Sequence, residues 1–330
     1  MKLSEFDYVL PTRFIAQHAL QQREKAKLLI LDRPTSSITH TVFAHIGHYL
    51  RKGDCIVLND TRVFKARLIA HKKTGGKVDI LITKLISNDK ACAMISHAKR
   101  TMIKTVLHIT DGIQATVLTK NGSLCELEFN APVDKVIRDH GKVPLPHYIK
   151  HDATAQDETD YQTVFAEKDG SIAAPTAGLH FTRVLLGTLR DQGINICSIT
   201  LHIGPGTFKP IRVERVEDHK MDAEYYEIPD STKKMIRNAG RVIAVGTSVC
   251  RALETYERTS NTNGMADLFI YPGYTFKIIN GLITNFHMPC STPLVLVSAF
   301  ADRDLVLNAY EEAKKNGYRF LSYGDAMFIV

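Results

Sequence analysis

The feature that most constrains this chain is a break in its rhythm. Strand-like and helix-like segments alternate over residues 1–60 and again over 146–330, while 61–145 is almost entirely short β-type runs. Six such runs, at 63–70, 78–85, 91–96, 106–109, 115–118 and 124–129, are separated by turn signals at Thr74-Gly-Gly76, Asn88-Asp89, Asp111-Gly112 and Asn121-Gly122. Short strands at this spacing without intervening helices predict a small antiparallel barrel or sandwich. The chain is 330 residues long and 44% hydrophobic, enough for two cores. The reading is a discontinuous α/β domain (1–60 and 146–330) carrying an inserted, basic β domain (61–145).

In the α/β parts the pattern predicts strands at 28–31 and 55–58 around a helix at 41–50, and a helix at 133–140 follows the β-type runs of the insert. A helix over 182–192 is stopped by Gly193 and followed by a strand at 194–202. A strand at 241–245, the turn Gly246-Thr-Ser248 and a helix reaching about Thr259 form a second unit. The run 268–271 reads as another strand, and Ser291 as the cap of a helix that tolerates Pro293 in its first turn.

Charge is unevenly spread. The chain carries +7, but from Arg62 to Lys104 eleven Lys and Arg face only Asp79 and Asp89, a local +9. Such concentration fits a polyanion such as RNA, or a solubilising face on exposed strands. Six widely spaced cysteines without a CxxC read as reduced, mostly buried thiols, and their spacing excludes a zinc ribbon. No apolar run approaches the ~20 residues of a membrane span. The start lacks a signal-peptide pattern, so a cytoplasmic protein without membrane contact is expected.

Polar residues recur just after strand-like runs: Asn59 and Arg62, His180, His202, Thr247, Asn285 and His287. In α/β folds the carboxyl ends of strands hold the site, so these groups are expected to converge. His180 and His202 stand beside Gly and Pro, in Ala173-Ala-Pro-Thr-Ala-Gly-Leu-His-Phe181 and Leu201-His-Ile-Gly-Pro-Gly-Thr-Phe208. The turn at Gly246 can hold an anion on backbone N–H groups, but it is neither a dinucleotide fingerprint nor a P-loop. Three classes stay open on these grounds. One is an enzyme acting on RNA through a His/Glu/Asp site. The second is a metal-dependent hydrolase using His180, His202, His219 and Glu224, and the third a non-catalytic RNA-binding protein.

The motifs together resemble one family, the S-adenosylmethionine:tRNA ribosyltransferase-isomerases of queuosine biosynthesis. The resemblance rests on the two stretches above and on Leu58-Asn-Asp-Thr-Arg-Val63, Val143-Pro-Leu-Pro146, Val242-Ile-Ala-Val-Gly-Thr247, Thr284-Asn-Phe-His287 and Tyr318-Arg-Phe-Leu-Ser-Tyr-Gly-Asp-Ala-Met327, in family order. It implies a large α/β barrel-like domain interrupted by a small antiparallel β-barrel. It also implies transfer and isomerisation of the ribosyl part of S-adenosylmethionine onto 7-aminomethyl-7-deazaguanine at the wobble position of tRNA. Epoxyqueuosine forms, and adenine and methionine leave. S-adenosylmethionine is then a consumed substrate, with no cofactor and no metal, and the expected enzyme is a monomer.

Set against that chemistry, His180 and His202 are the first candidates for proton transfer, followed by His219, Glu224 and His287. Thr176, Gly178, Gly204, Gly206 and Thr207 are expected to let backbone approach the substrate, with Thr247, Arg251, Asn285, Tyr323 and Asp325 binding its polar groups. Arg62, Lys72, Lys73 and Lys77 are expected to meet tRNA phosphates. The chain departs from the family pattern in three places. The segment Gly246-Thr-Ser-Val-Cys-Arg251 displaces a hydroxyl, Asp222 stands where a His is usual in His219-Lys-Met-Asp-Ala-Glu224, and Cys290 and Pro293 replace other residues.

Overall fold

The computed structural model describes residues 1–208 and 211–330, leaving aside the side chains of Thr207 and Phe208. Three short 3-10 turns lead into β1 (Lys27–Asp32), whose Leu28–Leu31 stretch is buried, and β2 (Ser37–Val42) returns antiparallel to it. The helix expected at 41–50 is therefore split: Thr39, Thr41 and Val42, all β-branched, finish a strand, and Phe43–Tyr49 forms a 3-10 helix. That helix lies tightly against the following layer, since a Cβ on Gly47 would fall 2.7 Å from Gln192 Oε1.

After β3 (Cys55–Asn59) and the short β4 (Thr61–Val63) the chain enters the β-only region. Here β5 (Arg67–Lys72), β6 (Lys77–Leu85), β7 (Lys90–Ile95), β8 (Val106–Thr110), β9 (Ile113–Asn121) and β10 (Leu124–Phe129) close into a barrel in the order β10-β7-β6-β5-β8-β9. Every pairing is antiparallel. Alternating residues such as Leu68, Ala70, Val78, Ile80 and Ile82 point inward to a core of the barrel's own, as the two-residue period of a strand requires. Helix α1 (Val133–His140) packs its buried Val136 and Ile137 onto that core.

The chain then returns through α2 (Ala155–Asp160) and β11 (Lys168–Ser171), which pairs parallel with β4. There follow α3 (Arg183–Asp191), β12 (Asn195–Leu201), β13 (Glu224–Glu227), α4 (Asp230–Arg237), β14 (Val242–Val245) and α5 (Thr247–Thr259). The chain ends with β15 (Asn263–Ala266), β16 (Gly281–Asn285), α6 (Thr292–Ala301), α7 (Arg303–Lys315) and β17 (Ala326–Ile329). Helix α3 starts at the Thr182 cap, whose side chain accepts from Leu185 N–H, and Gly193 takes φ +82 just beyond its end. Ser291 caps α6 by accepting from Leu294 N–H, with Pro293 in the first turn.

Nine strands form one mixed sheet in the order β15-β13-β12-β3-β14-β16-β17-β1-β2. Its centre, β12-β3-β14-β16, is parallel. The run 268–271 is not a strand: Leu268 and Ile270 are buried on irregular backbone that turns at Pro272-Gly273, where Gly273 takes φ +101. The nearby strands are instead β13 and β15, whose Glu-Tyr-Tyr-Glu and Asn-Gly-Met-Ala sequences carry too little apolar alternation to be read. No helix among the described residues is long and apolar enough to cross a membrane.

The final strand is a core element, with Phe328 fully buried between β16 and β1. Phe328→Ala should lower unfolding free energy by about 3–5 kcal/mol, measured as a shift of the urea midpoint.

Candidate active site

The sheet topology gathers chemistry on one edge. Because β12, β3, β14 and β16 run parallel, their carboxyl ends at Leu201, Asn59, Val245 and Asn285 lie together. Strand β17 is antiparallel to β16, so the segment entering it, Leu321 to Asp325, reaches the same edge. A cleft of about 390 Å³ opens there. Its walls come from 173–177, the loop after β12, Glu224, the start of α5, residues 284–293 and the segment Pro146-His147-Tyr148 returning from the barrel.

Glu224 and Arg251 form the charged floor. Both are buried, and Arg251 Nη2 donates to Glu224 Oε2 at 2.6 Å and to the Ala266 carbonyl at 3.1 Å. Glu224 Oε1 accepts from the Gly204 N–H at 2.7 Å. Burial raises the carboxyl above the usual carboxylate range; Arg251 and the Gly204 amide oppose that shift without cancelling it. Arg251 Nε is buried with no hydrogen-bond partner.

Beside them α5 begins at Gly246, which takes φ +92, a conformation open to glycine. No side chain caps this helix, so the amides of its first turn, at Thr247 and Ser248 on the cleft wall, are left for a ligand. Opposite, Thr176 Oγ1 donates to Asn285 Oδ1 at 2.8 Å. His287 holds Thr284 Oγ1 on Nε2 at 2.7 Å, and burial depresses its imidazole to about 3. Neutral at ordinary pH, its ring can donate or accept a hydrogen bond but is a poor proton store.

Of the residues singled out in the sequence, Thr176, Glu224, Thr247, Arg251, Asn285 and His287 line this cleft. Most of the other expected site residues fall elsewhere. His180 lies behind the wall, packed 5.0 Å from the Phe43 ring, where its Nε2 meets Asn285 Nδ2 at 3.4 Å. It positions Asn285. His202 turns toward β4 and β11, bonded to Thr61 Oγ1 at 2.8 Å and stacked on Tyr225, with Gly170 backbone pressed on its ring. His219 lies edge-on to Phe269, a wall residue, and does not itself line the cleft.

Tyr323 donates to Asp157 Oδ1, and Asp325 accepts from the Lys27 and Arg319 amides, so both are occupied in holding the chain. Gly178 and Gly206 are needed for packing: a Cβ there would lie 2.6 Å from Phe165 and 2.9 Å from Asp222. Gly204 meets the site through its amide. The side chain of Thr207 lies outside the described residues. Arg62, Lys73 and Lys77 are exposed and Lys72 half-buried on or beside the barrel. The four proposed metal ligands do not assemble, and no group of three His, Cys, Asp or Glu among the described residues is placed to hold a metal.

The sequence reading missed the rim formed by Tyr148 and Ser322, whose hydroxyls meet at 2.6 Å, and the apolar wall of Phe269, Phe286 and Met288. The Val143-Pro-Leu-Pro146 motif was the available signal for Tyr148, two residues on. Among the departures, Ser248 receives the Asn59 amide at 3.4 Å, Cys250 is buried, and Cys290 lines the cleft at φ +53.

A family model described as "Queuosine biosynthesis protein" matches residues 3–329. The chain is similar to proteins named S-adenosylmethionine:tRNA ribosyltransferase-isomerase from Sulfurihydrogenibium sp. (strain YO3AOP1), at 45% identity, and Carboxydothermus hydrogenoformans, at 44%, in each case over all of both chains. A crystal structure of S-adenosylmethionine tRNA ribosyltransferase from Thermotoga maritima superposes with a TM-score of 0.57 at 32% identity, over 99% of this chain and 100% of that one.

The buried histidine behind Asn285 sets a pH dependence. Burial, with Arg319 and Arg23 adding to it, depresses His180 to about 3, against about 6.5 in an unfolded chain. Its contribution to stability is complete above pH ~6.5 and is lost as the pH falls from there toward 3, because only the unfolded chain takes up the proton. His180→Gln, which keeps an acceptor for Asn285, should flatten the fall of stability between pH 6.5 and 4 in denaturant titrations.

Proposed function

The chain belongs to the queuosine biosynthesis protein family, and from that premise we propose that it transfers and isomerises the ribosyl part of S-adenosylmethionine onto tRNA. The acceptor is the aminomethyl group of 7-aminomethyl-7-deazaguanine at the wobble position, and the product is epoxyqueuosine. The C5′–sulfur bond breaks to release methionine and the glycosidic bond breaks to release adenine. One observation carries the assignment to this cleft: a buried carboxylate with a raised pKa, an arginine and an uncapped helix N-terminus meet at the carboxyl edge of the sheet.

Each feature answers a demand of the substrate. The uncapped first turn of α5 suits the methionine carboxylate. The sulfonium acidifies its neighbouring carbon, and on this reading Glu224 takes that proton. Its raised pKa brings it nearer the operating pH of a general base than an ordinary carboxylate. Arg251 orients it. Asn285, Thr176 and His287 supply hydrogen bonds to the sugar and the leaving adenine, and Asn285 is in turn held by His180. Phe269, Phe286, Met288 and Pro289 give the cleft an apolar wall that limits water around the epoxide.

S-adenosylmethionine is consumed as a substrate, and the reaction as proposed draws on no cofactor. Arg62, Lys72, Lys73 and Lys77 meet tRNA phosphates on this reading. The enzyme works in the cytoplasm as a monomer.

Purified protein given S-adenosylmethionine and tRNA bearing the deazaguanine should yield epoxyqueuosine in nuclease digests read by mass spectrometry, with free adenine in step. Glu224→Gln should cut turnover by roughly 10²-fold or more. An inactive wild type beside an active control enzyme overturns the function, and a fully active Glu224→Gln overturns the role of the carboxylate.

A further inference from the structure

The connection between β7 and β8 plays no part in the cleft, yet it is held in a demanding shape. His97 and Lys104, neither of them glycine, adopt φ 53 and φ 68 at its two ends. Left-handed non-glycine residues persist only where surrounding contacts fix them. Those contacts are present. Buried Thr101 donates through Oγ1 to the His97 carbonyl at 3.2 Å, while Lys120 Nζ donates to the Thr101 carbonyl at 3.1 Å. Lys72 Nζ donates to the Arg100 carbonyl at 2.8 Å, and Lys104 N–H to that of Val117 at 2.8 Å.

What this clamped loop displays is unusual for a free surface. Met102 is 77% exposed and its neighbour Ile103 54%. Lys99, Arg100 and Lys104 flank them, all exposed, and no acidic residue occurs between Lys90 and Thr110. Against the loop lies a groove of about 500 Å³, also lined by Lys72, Lys73, His108 and Gln114, with no carboxylate on its walls.

We propose that this loop and groove are an RNA-docking surface separate from the cleft, and that their occupant is an unpaired stretch of RNA. Lysines and Arg100 meet phosphates, and Met102 and Ile103 lie against the face of an unstacked base. The charge selects a polyanion. The paired apolar side chains select among polyanions, because unpaired RNA offers base faces and a duplex hides them. The identity of that RNA as tRNA rests on the function proposed above.

The test uses the full-length protein and two labelled probes, an RNA hairpin with an unpaired loop and a blunt RNA duplex of equal length. Anisotropy titrations compare wild type with Met102→Ser plus Ile103→Ser, and with Lys73→Glu plus Lys99→Glu. The apolar double variant should bind the hairpin several-fold more weakly, as the loss of apolar area against one base face requires, and bind the duplex as wild type does. The charge variant should weaken both probes and lower the salt dependence. Thermal melts should be unchanged, since all four side chains are exposed. An apolar variant that binds the hairpin normally, or loses affinity equally for both probes, overturns the proposal. Epoxyqueuosine formation is read separately: a wild type that makes none but shows the hairpin effect removes the cleft assignment and leaves this surface standing.

Discussion

The site depends on the buried ion pair between Glu224 and Arg251. It ties α5 to the first residue of β13 and, through the Gly204 amide, to the loop leaving β12. Two charges are taken out of water for this. Burial pushes the Glu224 carboxyl up, against the pull of Arg251 and the Gly204 amide. Removing one member of such a pair typically costs about 3–5 kcal/mol, because the other is left buried and uncompensated. The arrangement is therefore expensive as a fold-stabilising device. Its return is a carboxylate held in one orientation on the cleft floor, beside the uncapped start of α5.

The sheet decides what surrounds that floor. Asn59 sits where β3 and β12 part, and its amide bonds both the N–H and the carbonyl of Leu201, each at 3.0 Å, continuing the ladder with a side chain. The chain then leaves for the barrel and comes back beside its point of departure. Lys142 and Arg67 exchange backbone hydrogen bonds of 2.8 and 3.1 Å, and four residues later Pro146 begins the cleft wall. The barrel is thus tied to the cleft by a short, bonded segment. A macromolecular substrate held by one is brought to the other without a long flexible link.

Much of the architecture was legible from sequence because it follows local rules. The six barrel strands were marked by short β-type runs between turn residues, α3 by the stop at Gly193, α5 by the turn at Gly246 after a strand, and α6 by the Ser291 cap. What escaped was decided by tertiary context. Strands β13 and β15 pair with each other through polar sequences, and the apolar run at 268–271 is buried without joining a sheet. The site followed the same division. Strand-end position marked Thr247, Asn285 and His287, while Glu224 and Arg251 were marked by residue type and by the family motifs, and all five line the cleft. The direction in which a side chain leaves the backbone did not show in the motif, so His180 and His202, equally prominent in sequence, face away from the cleft.

The central claim is that this cleft holds S-adenosylmethionine with its reacting carbon at Glu224. An experimental structure of the protein with S-adenosylmethionine bound tests it most directly. The account predicts the carboxylate of the ligand at the first turn of α5 and the 5′ carbon within contact distance of the Glu224 carboxylate. A ligand seated elsewhere, or bound here with its 5′ carbon turned away from Glu224, would contradict it.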